Sequence, residues 1–395
     1  MSESYRVLQL FNRYLETGGE EASVQRVYNS LQSITEIRQC LFDSADWTGP
    51  NAPGAASQAV RMIYNPDSIR KLRKDHKEHK STLWLLHNLF PVGSAGIYRE
   101  ANSLDIPTIQ YIHNFRPFSV NGYLWANGRI EPSGLQKRFW PEIREGSWQN
   151  SQIKTAWYAG ILKYLHYTGA FERVQAWVAI SDFMRQTFIK AGVPEKRVFH
   201  IPHSWDIKYS KVEKPRDEGY YVFLGRLSDM KGIPMLLSVW EKLGKRLGSR
   251  TPRLMIGGDG PLEHLVKEYC ANNSHVKFCG RLSGVEKTNM IKNSRAMIAP
   301  SMWCEPLGLV TYEAYEHQKP MLAAESGGLT ETVQHEKTGY LHEPGNIDML
   351  VEQILYLENN PEMGGALGNK GREWLEANTR KKEWRDKFQV VLSKI

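Results

Sequence analysis

Apolar and polar positions follow two alternating periods along most of the chain. Short apolar runs bounded by turn residues predict strands, and apolar residues spaced three and four apart predict helices. In the first half, the predicted strands are residues 5–11, 35–42, 82–86, 108–112 and 176–180. The predicted helices are a segment ending at Leu31, residues 94–104 and residues 181–191, the last with Ser181 as its cap. This alternation predicts an α/β fold with a parallel sheet covered on both faces.

The second half repeats the alternation. Its predicted strands are residues 220–224, 253–258, 275–280, 296–299 and 338–342, and its predicted helices include residues 284–294 and 346–358. Between the halves, residues 201–219 are rich in charge and lack an apolar period, so we expect them to cross between two domains. Residues 43–58, rich in Gly, Pro, Ser and Ala, predict a loop. Residues 373–395 are strongly helical, and four of them are apolar at helical spacing: Trp384, Phe388, Val391 and Leu392.

Composition agrees with a two-domain globular protein. The chain has 395 residues, which is enough for two domains of ordinary size. Apolar content is 41%, and no apolar run approaches the roughly eighteen residues of a membrane span. The first predicted strand begins close to residue 1, so we expect no signal peptide. The cysteines lack C-x-x-C spacing, which predicts reduced thiols in a cytosol: Cys40, Cys270, Cys279 and Cys304.

The chain is basic, with a formal net charge of +8. The densest basic cluster covers residues 68–81. Such an excess can serve nucleic acid, an anionic membrane or a phosphorylated substrate, and a solvated helix face explains it equally well. No recognised nucleic-acid-binding motif accompanies the charge, so we expect no nucleic acid partner.

Candidate chemistry is concentrated in residues 300–331. Glu305 lies in the loop after the strand at 296–299, and Glu313 lies about one turn inside the following helix. A helix start carries unpaired N–H groups and a partial positive charge, which suit a phosphate. Gly308 allows an anion to approach the backbone amides. A nucleotide sugar fits such a site, with its diphosphate on the amides and its hydroxyls on the two carboxylates.

The sequence of this stretch resembles a known family. E-P-L-G-L-V-T-Y-E, followed by K-P-M-L-A and G-G-L-T-E, is similar to the E-x7-E signature of retaining glycosyltransferases of family four. The resemblance implies the GT-B architecture, in which two Rossmann-like domains face an interdomain cleft and the C-terminal helix returns to the first domain. We expect these parts at residues 1–205, 206–375 and 376–395.

A second motif, G-R-L-x3-K-G, follows the strand at 220–224 and carries Arg226 and Lys231. Arginine can bind a phosphate through two hydrogen bonds, and lysine acts as a point charge. The resemblance implies that both bind the donor diphosphate and stabilise it as the leaving group. The chain has no D-x-D motif, so we expect no metal and no cofactor beyond the donor substrate.

The resemblance also assigns roles to other donor-binding residues. It implies that Glu313 holds the ribose hydroxyls and Glu305 the hydroxyls of the transferred sugar, while the diphosphate meets the backbone at Gly308, Leu309 and Val310. Arg281 follows the strand at 275–280, where relatives hold the nucleotide base, although a surface arginine is nearly as common at such a position.

In the first half, the resemblance implies functional roles for a glycine pair and for one histidine. Gly18 and Gly19 lie in the first strand-to-helix turn, where the family places a loop over the donor phosphates. His113 directly follows the strand at 108–112, and Asn114 comes next. Family members carry a histidine in this context beside the transferred sugar. We therefore expect His113 to position the sugar or the acceptor.

Residues 115–167 depart from the α/β pattern. They interleave aromatic residues with arginines, among them Arg116. Aromatic faces stack on sugars or enter membrane interfaces, and arginines bind phosphate. Packing of an inserted helical layer explains the aromatic residues equally well, and both interpretations stay open.

Together the motifs predict a metal-independent retaining hexosyltransferase that uses a nucleoside-diphosphate sugar. The expected acceptor is a saccharide or a lipid-linked sugar, in surface polysaccharide or glycolipid synthesis. The expected location is the cytoplasm, with the basic cluster allowing peripheral contact with the inner face of the membrane. Two alternatives remain at this point: a sugar-nucleotide 2-epimerase of the same fold, and a non-catalytic protein that binds nucleotide sugars.

Overall fold

The computed structural model describes residues 5–15, 18–212 and 214–395, which divide into two compact units. Unit 1 comprises the described residues of Met1–Asn127, Glu131–Ser204 and Lys381–Ile395. Unit 2 comprises those of Gly128–Ile130 and Trp205–Arg380. No helix within these described ranges is long and apolar enough to cross a membrane.

Unit 1 is built on a six-stranded sheet with the order β2-β1-β3-β4-β7-β8, whose neighbouring strands pair in parallel. The strands are β1 (Arg6–Arg13), β2 (Glu36–Asp43), β3 (Leu83–Leu86), β4 (Thr108–Ile112), the short β5 (Trp125–Ala126), β7 (Ala176–Ala179) and β8 (Val198–His200). The short β6 (Arg129–Ile130) belongs to the residues of unit 2. The helices are α1 (Gly19–Leu31), α2 (Ala55–Ile63), α3 (Pro66–His79), α4 (Gly96–Ser103), α5 (Trp140–Glu145), α6 (Gln152–Tyr167) and α7 (Asp182–Lys190). The predicted cap of α7 is confirmed, because the Ser181 hydroxyl accepts a hydrogen bond from the Met184 amide at 3.1 Å.

Unit 2 has a second parallel six-stranded sheet with the order β11-β10-β9-β12-β13-β14. Its strands are β9 (Tyr220–Leu224), β10 (Arg253–Gly257), β11 (Val276–Gly280), β12 (Ala296–Ala299), β13 (Met321–Ala324) and β14 (Gly339–His342). Its helices are α8 (Ile233–Leu247), α9 (Glu263–Ala271), α10 (Gly284–Asn293), α11 (Val310–Glu316), α12 (Leu329–Thr332), α13 (Ile347–Asn359) and α14 (Pro361–Asn378). Two parallel sheets joined by helices confirm the predicted α/β class.

The order of the strands determines where each unit can bind a ligand. In unit 2 the chain winds outward from β9 to β11 and then restarts on the other side of β9 with β12. In unit 1 the same reversal falls between β1 and β3. Loops diverge at the carboxyl edge of such a reversal and leave a crevice there. Functional residues are therefore expected in the loops after these four strands, β1, β3, β9 and β12.

Two segments differ from the sequence expectation. The prediction of a loop at residues 43–58 was wrong for its last residues, because α2 begins at Ala55. Alanine is a strong helix former, whereas the loop prediction counted the alanines of this segment together with its Gly, Pro and Ser residues. The helical segment predicted at 373–395 is two helices, since α14 ends at Asn378 and α15 (Lys381–Leu392) follows after a break.

Helix α15 packs within unit 1, where it contacts α1. Trp384, Phe388 and Val391 are buried, as their helical spacing predicted. The Trp384 indole also approaches the hydroxyl of Tyr111 on β4, at 3.3 Å. Return of the last helix to the first domain is therefore confirmed.

Candidate functional site

In unit 2, two loops meet at the reversal of strand order. The loop after β9 contains Lys231, and the loop after β12 contains Glu305. The Met302 amide donates to the Met230 carbonyl at 2.8 Å and joins the two loops. Gly232 has φ +76°, and a Cβ on it would lie 1.9 Å from the Pro300 oxygen. Only glycine permits this approach.

Glu305 is fixed in place by donors from both loops. Its Oε1 accepts from the Ser301 hydroxyl at 2.7 Å and from the Trp303 indole at 3.0 Å, and Lys231 forms an ion pair with the same oxygen. The Lys231 ammonium also lies 5.0 Å from the centroid of the Trp303 ring. Glu305 is buried, so its orientation is set before any ligand arrives. The two charged residues predicted from separate motifs are thus direct partners.

A third loop, after β13, supports Glu305 from its backbone side. The Gly328 amide donates to the Glu305 carbonyl at 2.7 Å. Gly327 has φ +54°, and a Cβ there would lie 2.2 Å from the same carbonyl oxygen. The Gly-Gly pair of the G-G-L-T-E string is therefore needed for contact with the Glu305 loop.

The start of α11 presents backbone donors. The amides of Gly308, Leu309 and Val310 donate no hydrogen bond to another group of the described chain. Gly308 has φ +82°, and a Cβ there would lie 2.4 Å from Leu329 Cδ2. These three amides are open to a ligand, and the predicted contact with the donor diphosphate stays a prediction. Because α11 has only seven residues, the amides themselves matter more than its dipole.

Glu313, in the first turn of α11, already has a cationic partner that sequence reasoning missed. Lys287 on α10 lies 2.7 Å from its Oε1, and both side chains are partly exposed. The ribose role predicted for Glu313 stays a prediction. A ligand hydroxyl there meets a carboxylate that Lys287 has oriented.

Arg226 and Arg281 lie at neighbouring strand ends. Arg226 is exposed, and no ion pair joins it to any described residue. It precedes Leu227, whose buried backbone donates to the Asp259 carbonyl at 2.7 Å. Arg281 lies 3.4 Å from the Asp259 carboxylate and is more than half exposed. The loops after β9, β10 and β11 therefore bring both arginines to one edge of the sheet, while the base-stacking role of Arg281 stays a prediction.

In unit 1, the predicted glycines lie at the start of α1. Gly18 has an extended backbone with φ −128°, and a Cβ on Gly18 or Gly19 would meet no atom within 4 Å. Neither glycine is required by the fold around it. The space beside them leaves room for a donor phosphate, whose approach there stays a prediction.

His113 ends a buried chain of hydrogen bonds that fixes its tautomer. The Gln9 amide nitrogen donates to the Val24 carbonyl at 3.1 Å, so it is also the donor to His87 Nε2 at 2.9 Å. His87 must then carry its proton on Nδ1 and donate to His113 Nε2 at 2.8 Å. His113 consequently carries its own proton on Nδ1, which is buried and has no partner in the described chain. It presents a hydrogen-bond donor, as a residue that positions a sugar oxygen requires.

Burial keeps these histidines neutral. Desolvation, assisted by Arg26, lowers the pKa of His113 to about 3. Desolvation also lowers the pKa values of His87 and His203 well below the ordinary value. The rings of His113 and His203 stack with centroids 5.5 Å apart. Within the described ranges, no group of three or more His, Cys, Asp or Glu side chains is placed to hold a metal ion.

The aromatic segment 115–167 is largely part of the core of unit 1. Phe115, Phe118, Phe139 and Tyr158 are buried, which favours packing for these residues. Other aromatic residues of the segment are exposed, including Trp140 at 65%.

The basic cluster at 68–81 forms most of α3, and several of its cations are already paired. Arg70 pairs with Asp67, Arg73 with Glu100, and Lys74 lies 3.9 Å from Glu78. This pairing reduces the field that the cluster offers to an anionic surface, and membrane contact stays a prediction.

The family follows from sequence comparison. Residues 206–374 match the family model described as Glycosyl transferases group 1, and residues 56–209 match the model described as Glycosyltransferase Family 4. The chain belongs to the GT4-like glycosyltransferases. The first match contains the Arg226, Lys231, Glu305 and Glu313 motifs, so the family indicated by those motifs is confirmed.

Individual relatives are more distant. A GDP-mannose-dependent alpha-(1-6)-phosphatidylinositol monomannoside mannosyltransferase of Mycobacterium tuberculosis is 28% identical over 225 residues, which cover 51% of this chain and 57% of the relative. The chain spans about half the length of the curated relatives it matches.

Solved structures show the fold over the whole chain. Anabaena HepE in complex with UDP-glucose superposes with a TM-score of 0.70 at 16% identity, covering 99% of this chain and 100% of HepE. Sucrose-phosphate synthase from Thermosynechococcus elongatus gives a TM-score of 0.72 at 16% identity, with 98% of each chain covered. At this identity the likeness shows the fold alone, and that fold is GT-B, as predicted.

Proposed function

We propose that this GT4-like chain is a retaining hexosyltransferase that uses a nucleoside-diphosphate sugar and needs no divalent metal. The observation that carries the proposal is the meeting of two loops at the strand reversal of unit 2. There Lys231 and Glu305 contact each other, Arg226 lies on the same loop as Lys231, and the amides at the start of α11 are open.

These groups match the charges of a nucleoside-diphosphate donor. Breaking the bond to the anomeric carbon leaves a diphosphate with growing negative charge. Lys231 and the amides of Gly308 and Leu309 supply a positive charge and N–H donors that are already fixed in place, which is normally a large catalytic contribution. Arg226 adds a second, exposed cation on the same loop as Lys231. Glu305 accepts hydrogen bonds from hydroxyl groups of the transferred sugar, and Glu313 accepts them from the ribose hydroxyls.

We further propose that the acceptor attacks from the face that the diphosphate leaves, with the diphosphate helping to take the acceptor proton. Among the described residues of unit 2, no carboxylate stands out as a covalent nucleophile, and Oε1 of Glu305 is already held by three donors. Proton NMR of the first product tests this step. A product whose anomeric configuration is inverted relative to the donor would refute it.

The donor is tested by thermal unfolding of the full chain with a panel of UDP-, GDP- and ADP-sugars, because a bound ligand raises the unfolding temperature. We expect one nucleotide to stabilise the chain more than the others. If none does so, the proposal fails. Turnover without an acceptor would indicate the epimerase alternative, and tight binding with neither transfer nor hydrolysis would indicate a non-catalytic binding protein.

The acceptor and the location belong to the same proposal. We propose a saccharide or lipid-linked acceptor reached at a membrane surface through α3. Co-sedimentation with anionic and neutral vesicles at low and high salt tests the membrane contact, which the proposal expects to be salt-sensitive. If equal amounts of protein sediment with anionic and with neutral vesicles, the proposed membrane contact through α3 is wrong.

A further inference from the structure

A small cavity in unit 1 is lined by hydrogen-bond donors. Its volume is about 30 Å³, and its walls come from the start of α1, the loops after β3 and β4, and α6. Glu20, His113, Arg116 and Tyr158 are among the lining residues. Arg116 and Tyr158 belong to none of the motifs that carry the proposed donor site.

Three donor atoms of this lining are buried without a hydrogen-bond partner in the described chain. They are Nε and Nη1 of Arg116 and the hydroxyl of Tyr158. Tyr158 as a whole is 0% exposed, so its hydroxyl has no direct access to bulk solvent. A buried donor left unpaired costs about 1–3 kcal/mol, and a charged one costs more. These groups are therefore expected to be paired by an acceptor beyond the described residues, such as a water molecule or a bound ligand.

The Arg116 side chain is held by contacts that leave two of its nitrogen atoms, Nε and Nη1, without a hydrogen-bond partner in the described chain. Its guanidinium lies 5.1 Å from the ring centroid of Trp148 and 5.7 Å from that of Tyr14. Its backbone amide donates to Asn114 Oδ1 at 2.9 Å. Stacking uses the faces of a guanidinium, while hydrogen bonds use its edge. Arg116 is thus positioned beside the Tyr14 and Tyr158 hydroxyls, and it opposes the rise that burial causes in their pKa values, while its Nε and Nη1 lack a well-formed hydrogen bond in the described chain.

The nearby carboxylate of Glu20 does not use them either. Its Oε2 accepts from the Tyr14 hydroxyl at 2.8 Å and the Asn114 amide at 2.9 Å. Neither a hydrogen bond nor an ion pair joins Glu20 to Arg116 in the described part of the chain. Burial raises the pKa of Glu20, and the positive charge of Arg116 opposes that shift.

We propose that Arg116 and Tyr158 form a subsite for a carboxylate carried by the acceptor saccharide. The assignment rests on the proposed transferase function and narrows its acceptor to an acidic sugar. A carboxylate has two acceptor oxygens, one for the Arg116 guanidinium and one for the Tyr158 hydroxyl, and its charge is opposite to that of the guanidinium. The size agrees, because 30 Å³ holds about two to three water-sized groups. A carboxylate fills that space with three atoms, whereas a phosphate brings four oxygens. The Nδ1–H of His113 remains for a sugar hydroxyl.

Calorimetric titration of the full chain with glucuronate and with glucose tests the subsite. We expect glucuronate to bind about tenfold more tightly than glucose, as one paired, charge-assisted contact would give. Arg116→Gln should abolish this preference. Tyr158→Phe keeps the ring in the core and should weaken glucuronate binding about threefold. Arg144→Gln, at an exposed arginine of the same segment, should change nothing.

The outcomes separate this inference from the proposed function. Equal or undetectable binding of the two sugars, or a preference that survives Arg116→Gln, would overturn the subsite. Tighter binding of glucose 6-phosphate than of glucuronate would overturn the carboxylate assignment. Nucleoside diphosphate binding should be unchanged in the Arg116 and Tyr158 variants and weakened in Lys231→Ala. Loss of nucleotide binding in wild type would instead count against the donor site.

Discussion

The two candidate regions differ in which of their side chains are already paired: the carboxylates of unit 2 have partners, whereas several side-chain donors of unit 1 have none in the described chain. In unit 2, Glu305 is held by three donors on one oxygen, and Glu313 is paired with Lys287. In unit 1, Arg116, Tyr158 and the Nδ1 of His113 are buried with donors that no described residue accepts. Both regions lie at the carboxyl edge of a parallel sheet, beside its strand reversal. A site that is satisfied internally is rigid before binding, whereas one with open donors gains most of its stability from the ligand.

Glu305 and Lys231 are the most firmly paired side chains of the two regions, and we expect their removal to cause the largest loss of turnover. Glu305→Ala and Lys231→Ala should each lower turnover about 10²–10³-fold, because charge that develops in the leaving group or sugar loses a fixed partner. Steady-state kinetics of variants shown to be folded by circular dichroism checks this.

Lys242→Ala is the matched control, since Lys242 and Asp348 form an ion pair on the surface of the same unit. Surface pairs contribute about 0–1 kcal/mol, so both turnover and stability should be close to wild type. Near-normal turnover of a folded Glu305 or Lys231 variant would remove that residue from the mechanism.

The backbones of the two regions should also respond differently to a methyl group. Gly308→Ala places a Cβ at φ +82° against buried Leu329, and we expect a loss of about 2 kcal/mol of unfolding free energy. Gly18→Ala meets open space and should cost less than about 0.5 kcal/mol. Urea unfolding measures both, and equal losses would contradict the difference described between the two loops.

Acid should destabilise the chain through the histidines of unit 1. The unfolded state binds a proton near the ordinary pKa of 6.5, whereas folded His113 stays neutral down to about 3. Unfolding free energy is therefore highest above pH 6.5 and falls as pH decreases toward 3, by up to about 1.4 kcal/mol per pH unit for each such histidine. Urea unfolding at several pH values should give a shallower dependence for His113→Gln. An unchanged slope would contradict burial of a neutral His113.

The smallest effect is expected at Glu313, which is partly exposed. Glu313→Gln should raise the donor KM about fivefold with little change in kcat, because one hydrogen bond to the ribose is weakened equally in the ground and transition states. Initial-rate kinetics with varied donor checks this. An unchanged KM would remove the ribose contact from the proposal.

The comparison also shows what sequence could predict. The loops of unit 2 carry short contiguous strings, so Arg226, Lys231, Glu305 and Gly308 were found together with their strands. Lys287 pairs with Glu313 from a different helix, and no spacing rule connects the two positions. In unit 1, Gln9, His87, Arg116 and Tyr158 come from separate elements and meet only through the folded sheet. His113 was found from its strand end, but its tautomer required the hydrogen bonds of Gln9 and His87.

The central claim is that unit 2 meets the donor diphosphate with its own cations and amides rather than with a divalent ion. The most direct test is calorimetric titration of the preferred nucleoside diphosphate, with excess EDTA, into wild type and into Arg226→Ala/Lys231→Ala. The account predicts unchanged wild-type affinity in EDTA and a loss of at least about tenfold in the double variant. Binding that disappears with EDTA, or that survives loss of both cations, would contradict it.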